Sequence, residues 1–128
     1  MIEIPFDRKA KLILVEVSIK KDDIIVDGVF VLDTGCTTTV IQPDFLERCK
    51  YSKDDIIEKT SFTTGSQREK GDLMKVRTIK ALGLIRRNVN VISYKLPPGF
   101  QFDGLLGVDF IRNKDLLISY RKGILKLE

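Results

Sequence analysis

The chain is built from short, β-branched apolar segments punctuated by turn residues, and no other feature limits its possible folds so strongly. Between Lys11 and Ile19, apolar residues occupy every odd position from Ile13 to Ile19. A period of two describes a strand with one face buried. Ile24–Val26 and Val29–Leu32 follow, separated by Asp27-Gly28, and Asp-Gly between apolar runs predicts a hairpin; the polar stretch Lys20–Asp23 offers a second place for a turn. Thr39–Ile41 reads as another short strand. Pro43 suits the first position of a helix, in which Phe45, Leu46 and Cys49 share one face. Residues 60–66 are extended, and a polar tip at Gln67–Gly71 separates them from Leu73–Ile79, predicting a long hairpin. Val89–Tyr94 is a strand closed by Pro97-Pro98-Gly99. Asp103–Gly107 leads into a helical turn over Asp109–Arg112, and Leu116–Tyr120 and Ile124–Leu127 form a terminal hairpin around Arg121-Lys122-Gly123. Many short strands and little helix predict one all-β domain over residues 1–128, a closed barrel with one or two short helices.

Composition narrows the chemistry. The chain has no histidine, so a Ser-His-Asp triad, a Cys-His pair and a His-ligated zinc site are all excluded. Its two cysteines, Cys36 and Cys49, cannot build a Cys-only metal cage within one chain, and no metal or other cofactor is expected. Catalysis is left to carboxylates, hydroxyls, amines or a lone thiol. The net charge of +4 is scattered, with no block of like charges, which describes a solvated surface rather than a nucleic-acid face. Two cysteines make no disulfide framework, and Met1–Pro5 lacks the basic and apolar regions of a secretion signal. No apolar run approaches the roughly 18 residues that cross a bilayer. A cytoplasmic protein without membrane contact is expected.

One constellation carries chemistry. Asp33-Thr34-Gly35 directly follows the apolar strand Val29–Leu32, and a carboxylate at the end of a buried strand is costly unless hydrogen-bonded or functional. The tripeptide alone is weak, since on the order of a few per cent of chains this long contain it by chance. Its surroundings are more specific: two apolar residues precede it, Thr38-Thr39-Val40-Ile41 follows it, and Leu105-Leu106-Gly107 appears about 70 residues further on. These residues resemble the aspartic proteases, specifically the single-lobed retropepsin-like (retroviral-type) family, over nearly the whole chain. Val31–Gly35 with Thr38–Ile41 is similar to the family's catalytic loop and following strand. Thr63-Thr64-Gly65 and its hairpin are similar to the flap. Asp103–Ile111 resembles the segment that crosses behind the catalytic loop.

The resemblance implies an acid-protease barrel, peptide or protein substrates, and catalysis by Asp33, Thr34 and Gly35. Metal-free hydrolysis of a peptide needs a base to activate water and an acid to protonate the amide, and two carboxyls about 3 Å apart that share one proton supply both. One chain of this length holds a single Asp-Thr-Gly loop, so the resemblance implies a homodimer with the site on its two-fold axis. Gly35 would let the backbone approach the carboxylate, and the Thr34 hydroxyl would reach the partner loop. Thr63, Thr64, Gly65 and Ser66 would cover substrate as a flap, and Leu105, Leu106 and Gly107 would support the loop from behind. Two departures stand out. Cys36 replaces the usual Ala or Ser and places an oxidisable thiol beside the aspartate, and the flap tip Ser66–Lys70 is charged rather than glycine-rich.

Plainer roles compete for several residues. Asp33 also fits a strand-ending turn, Asp103 a turn residue, Asp109 a cap for the short helix, Cys49 a packed thiol, and Arg86-Arg87 exposed loop charge. Asp-Thr-Gly before Thr-Thr also resembles the phosphate loops of actin-like ATPases, which need two large lobes this chain is too short to hold. The functional alternative to an endopeptidase is a peptide-binding or dimerisation module on the same fold.

Overall fold

A computed structural model describes residues 1–128. The strands are β1 (Ile2–Pro5), β2 (Leu14–Lys21), β3 (Ile24–Leu32), β4 (Val40–Ile41), β5 (Ile56–Thr64), β6 (Gln67–Ala81), β7 (Leu84–Ser93), β8 (Gly104–Leu106), β9 (Leu116–Ser119) and β10 (Ile124–Leu127). A single α-helix, α1 (Pro43–Arg48), and a 3-10 turn at Lys53–Asp55 complete the regular structure. The apolar positions of β2 bury Val15, Val17 and Ile19, as a period of two requires. Pro43 opens α1, which lays Phe45 and Leu46 into the core; the Phe45 ring meets Phe30 edge-on at 5.7 Å.

Seven strands form one sheet in the order β2-β3-β8-β4-β7-β6-β5, and β2 pairs again with β6. That second pairing closes six of the seven strands into a barrel and leaves β5 with a free edge. The core inside it runs from Val17 and Phe30 to Val76, Val91 and Leu106. A separate sheet, β1-β10-β9, joins the two ends of the chain, with Ile2 opposite Leu127. The all-β closed barrel with short helices is therefore as expected. No helix is long and apolar enough to cross a membrane.

Several local expectations are corrected. Asp27-Gly28 is not a hairpin turn: β3 runs straight through it, and the chain reverses at Asp22-Asp23, where Asp22 takes a left-handed φ of 54°. Gly28 owes its place to crowding, because a Cβ there would lie 2.4 Å from the Phe45 ring and 2.7 Å from Asp103 Oδ2. The hairpin after residue 60 turns at Gly65-Ser66, and Gln67–Gly71 is strand rather than tip. Arg86 and Arg87 belong to β7, not to a loop. Arg86 donates to the carbonyls of Phe110 and Arg112, each at 2.9 Å, and its guanidinium lies over the Phe110 ring. Residues 107–114 form successive turns, with Phe110 N–H donating to Gly107 and Ile111 N–H to Val108, in place of the expected short helix.

Candidate active site

Asp33 is positioned by two strands that meet in parallel. β3 pairs with β8 in the register Val31–Leu105 and Leu32–Leu106. The pairing ends with the Asp33 N–H donating to the Leu106 carbonyl at 3.0 Å. Past that bond the chain leaves the sheet and turns tightly, Cys36 N–H donating to the Asp33 carbonyl at 3.1 Å. The turn brings the Gly35 N–H to Asp33 Oδ1 at 2.9 Å. The carboxylate is thus held by a backbone donor and remains half-exposed. Thr34 and Gly35 beside it are exposed.

The loop is anchored from behind by a polar network around Thr39, a buried side chain. Thr39 Oγ1 donates to Asp109 Oδ1 at 2.8 Å and accepts from the Gly107 N–H at 3.1 Å. The Thr39 N–H donates to the same carboxylate, and the Val108 N–H donates to the Cys36 carbonyl at 2.9 Å. Gly107 is required by proximity: a Cβ would sit 2.6 Å from the Cys36 carbonyl oxygen. Asp109 is therefore a tie between the two crossing segments, not a helix cap. Asp103 is likewise more than a turn residue. Its carboxylate accepts from the Val29 N–H at 2.9 Å and pairs with Arg48 at 3.3 Å.

The carboxylate opens onto a groove of about 750 Å³. One wall is the loop, with Asp33, Gly35 and Cys36; the other is the β5–β6 hairpin, with Thr63, Thr64 and Gly65. Val40, Leu73, Ile92 and Leu105 supply its apolar lining. The structure thus gathers Asp33, Gly35, Thr63, Thr64, Gly65 and Leu105 around one cavity. Ser66 sits in the hairpin turn, Leu106 is buried behind the loop, and Thr34 is exposed and does not line the groove. Arg68, at the charged flap tip, also borders the groove, and sequence reasoning missed Thr60, Ser61 and Phe62 there. The unbroken extended run Thr60–Gly65 ahead of the turn was the available signal.

Cys36 does not bond the aspartate. Its thiol donates to the Thr38 carbonyl at 2.9 Å. Burial, together with the neighbouring Asp33 charge, pushes the Cys36 thiol up to about 11. It therefore stays protonated at neutral pH and is poorly suited to act as a nucleophile or redox sensor. Cys49 is fully buried against the core, a packed thiol as expected, and burial raises it to about 11 as well.

A supported carboxylate under a hairpin is an arrangement with known relatives. The aspartyl protease family matches residues 15–110, three quarters of the chain, including the Asp33 loop and the Leu105–Gly107 segment. The chain belongs to the aspartyl protease family. Among solved structures, it is similar to a retropepsin-like aspartic protease from Rickettsia conorii, with a TM-score of 0.71 and 16% sequence identity over 98% of this chain and 88% of that one. At that identity the likeness establishes a shared retropepsin-like fold. No protein of curated function matches the chain.

Proposed function

We propose that this aspartyl protease family member is an endopeptidase whose active site forms when Asp33 of two copies meets on a two-fold axis. The observation that carries the proposal is the Asp33 carboxylate itself. It is held by the Gly35 N–H and half-exposed at the wall of a groove large enough for an extended peptide. One carboxylate cannot act as base and acid in the same step, so a second must come from another copy. The exposure of Thr34 and Gly35 in the single chain fits a surface that a second copy covers.

In this reaction one Asp33 carboxylate takes a proton from water as the water oxygen attacks the peptide carbonyl carbon. The other, protonated Asp33 donates its proton to the carbonyl oxygen. The tetrahedral intermediate then collapses: the C–N bond breaks, the first aspartic acid returns its proton to the leaving nitrogen, and the other regains one from the intermediate's hydroxyl. Two residues of each copy share the supporting work, with Gly35 of the loop orienting the carboxylate and Gly107, after β8, allowing the close crossing behind it. Consecutive residues Thr60–Gly65 border the groove from the free edge of β5, and unpaired backbone donors and acceptors there suit an extended substrate.

The test is cleavage of a diverse peptide library by wild type and Asp33→Asn from acidic to neutral pH. The mutant should keep its fold and lose all cuts. Residual cleavage at the wild-type rate would remove Asp33 from the mechanism. A folded, dimeric wild type that cuts nothing but retains peptides would support a binding module instead.

A further inference from the structure

We propose that Arg68 and Lys70 select substrates carrying an acidic side chain near the cleaved bond. The proposal rests on the endopeptidase function above and assigns its substrate class. The register of the β5–β6 hairpin places Lys59 opposite Asp72, Ser61 opposite Lys70, and Thr63 opposite Arg68. Residues directly opposite, and those two apart along a strand, share a face. One face of the hairpin therefore carries this row of charge, while Phe62 and Glu69 occupy the other, Phe62 packing edge-on against Tyr94.

Residues of the charged face border two cavities, which the opposite face also lines through Phe62 in one and Gly71 in the other. Near the turn, Ser61, Thr63 and Arg68 border the groove that holds Asp33. Further down, Lys59, Lys70 and Asp72 border a cavity of about 280 Å³ together with Lys95. Lys59 and Asp72 neutralise each other in an ion pair. Arg68 and Lys70 form none, and neither does Lys95 across the second cavity, so the uncompensated charge of the face is positive. Asp33 at the loop wall repels a carboxylate placed beside it, which directs an acidic side chain toward the hairpin. There a guanidinium offers a two-pronged donor to a carboxylate, and an ammonium reinforces it. A neutral side chain forgoes this attraction, and a basic one is repelled. The complementary occupant is a peptide with Asp or Glu within a few residues of the scissile bond.

The experiment compares matched peptides that differ by Glu or Gln at one flanking position, assayed at pH 6, where the peptide carboxylate is ionised. Cleavage is measured as kcat/KM, and binding to the Asp33→Asn protein is measured by fluorescence anisotropy. Wild type should prefer the best-placed Glu peptide by about fivefold, the yield of one partly desolvated ion pair. Arg68→Gln should bring the ratio to about one, Arg68→Glu should invert it, and Lys75→Gln, elsewhere on β6, should leave it unchanged. The preference should shrink in high salt. Equal cleavage of Glu and Gln peptides at every position by wild type, or an unchanged preference in Arg68→Gln, would overturn the proposal while leaving the endopeptidase function standing. Absence of cleavage, with a Glu preference in binding that Arg68→Gln abolishes, would do the reverse.

Discussion

Replacing Thr39 by Val tests whether the loop is held by the network described above. Val keeps the shape and burial of Thr but removes the hydroxyl. That hydroxyl serves two partners, donating to Asp109 Oδ1 and accepting from the Gly107 N–H. A hydrogen bond to a charged acceptor contributes about 1.5–3 kcal/mol, and an N–H left unpaired in the interior costs about 1–3 kcal/mol. The added methyl offsets about 0.8 kcal/mol. The net expected loss is about 3 kcal/mol, large against the roughly 5–15 kcal/mol that a domain has in total. Urea unfolding at fixed protein concentration measures it, since association would otherwise shift the midpoint. With a slope of about 1.5 kcal/mol/M, the midpoint should fall by about 2 M. Thr39→Ser, which keeps the hydroxyl, should lose about 1 kcal/mol. A Val variant within about 0.5 kcal/mol of wild type, or a Ser variant as damaged as the Val one, would refute the claim that these hydrogen bonds secure the loop.

Other consequences follow from crowding and from the thiols. Gly28→Ala should destabilise by about 1–3 kcal/mol, because its Cβ would meet the Phe45 ring at 2.4 Å; an unchanged melting temperature would show that α1 yields freely. Cys36 and Cys49, both at about 11, should react with iodoacetamide at pH 7.5 on the order of a hundredfold more slowly than an ordinary thiol, read by mass spectrometry. Rapid labelling of the folded protein would contradict the burial. The same shifts set a pH dependence. Thiols raised from 9.0 to about 11 stay protonated in the folded state while the unfolded chain loses its protons. Their contribution to stability is therefore present below pH 9 and is lost as the pH rises toward 11. Replacing both by Ser should flatten that part of the stability profile.

The barrel was legible because its determinants are local. The alternation at Ile13–Ile19 and Pro43 ahead of Phe45 announce a strand and a helix from adjacent residues alone. The candidate aspartate was legible for a different reason: Asp33-Thr34-Gly35 and Leu105-Leu106-Gly107 are each short enough to be seen in one line of sequence. What stayed hidden depends on partners distant along the chain. Asp27-Gly28 has the composition of a turn, yet Gly28 is there to admit Phe45 and Asp103. Asp109 looks like a cap until Thr39 is brought beneath it. Gln67–Lys70 is polar enough for a tip, but its pairing with residues 61–64 makes it strand and turns Arg68 toward the groove. Only the register of the hairpin reveals which of its charges lie side by side.

The parallel pairing of β3 with β8 also determines when the Asp33 loop acquires its support. Asp33 lies early in the sequence, but the strand that fixes it, Gly104–Leu106, and the Asp109 that ties Thr39 come far later. Contacts so distant along the chain close late and slowly during folding. A polypeptide still being synthesised, with residues 104–109 not yet released, has the aspartate but no frame to hold it. The framing of Asp33 is thereby deferred until most of the barrel exists, so the carboxylate gains its fixed place only once the two distant segments have met.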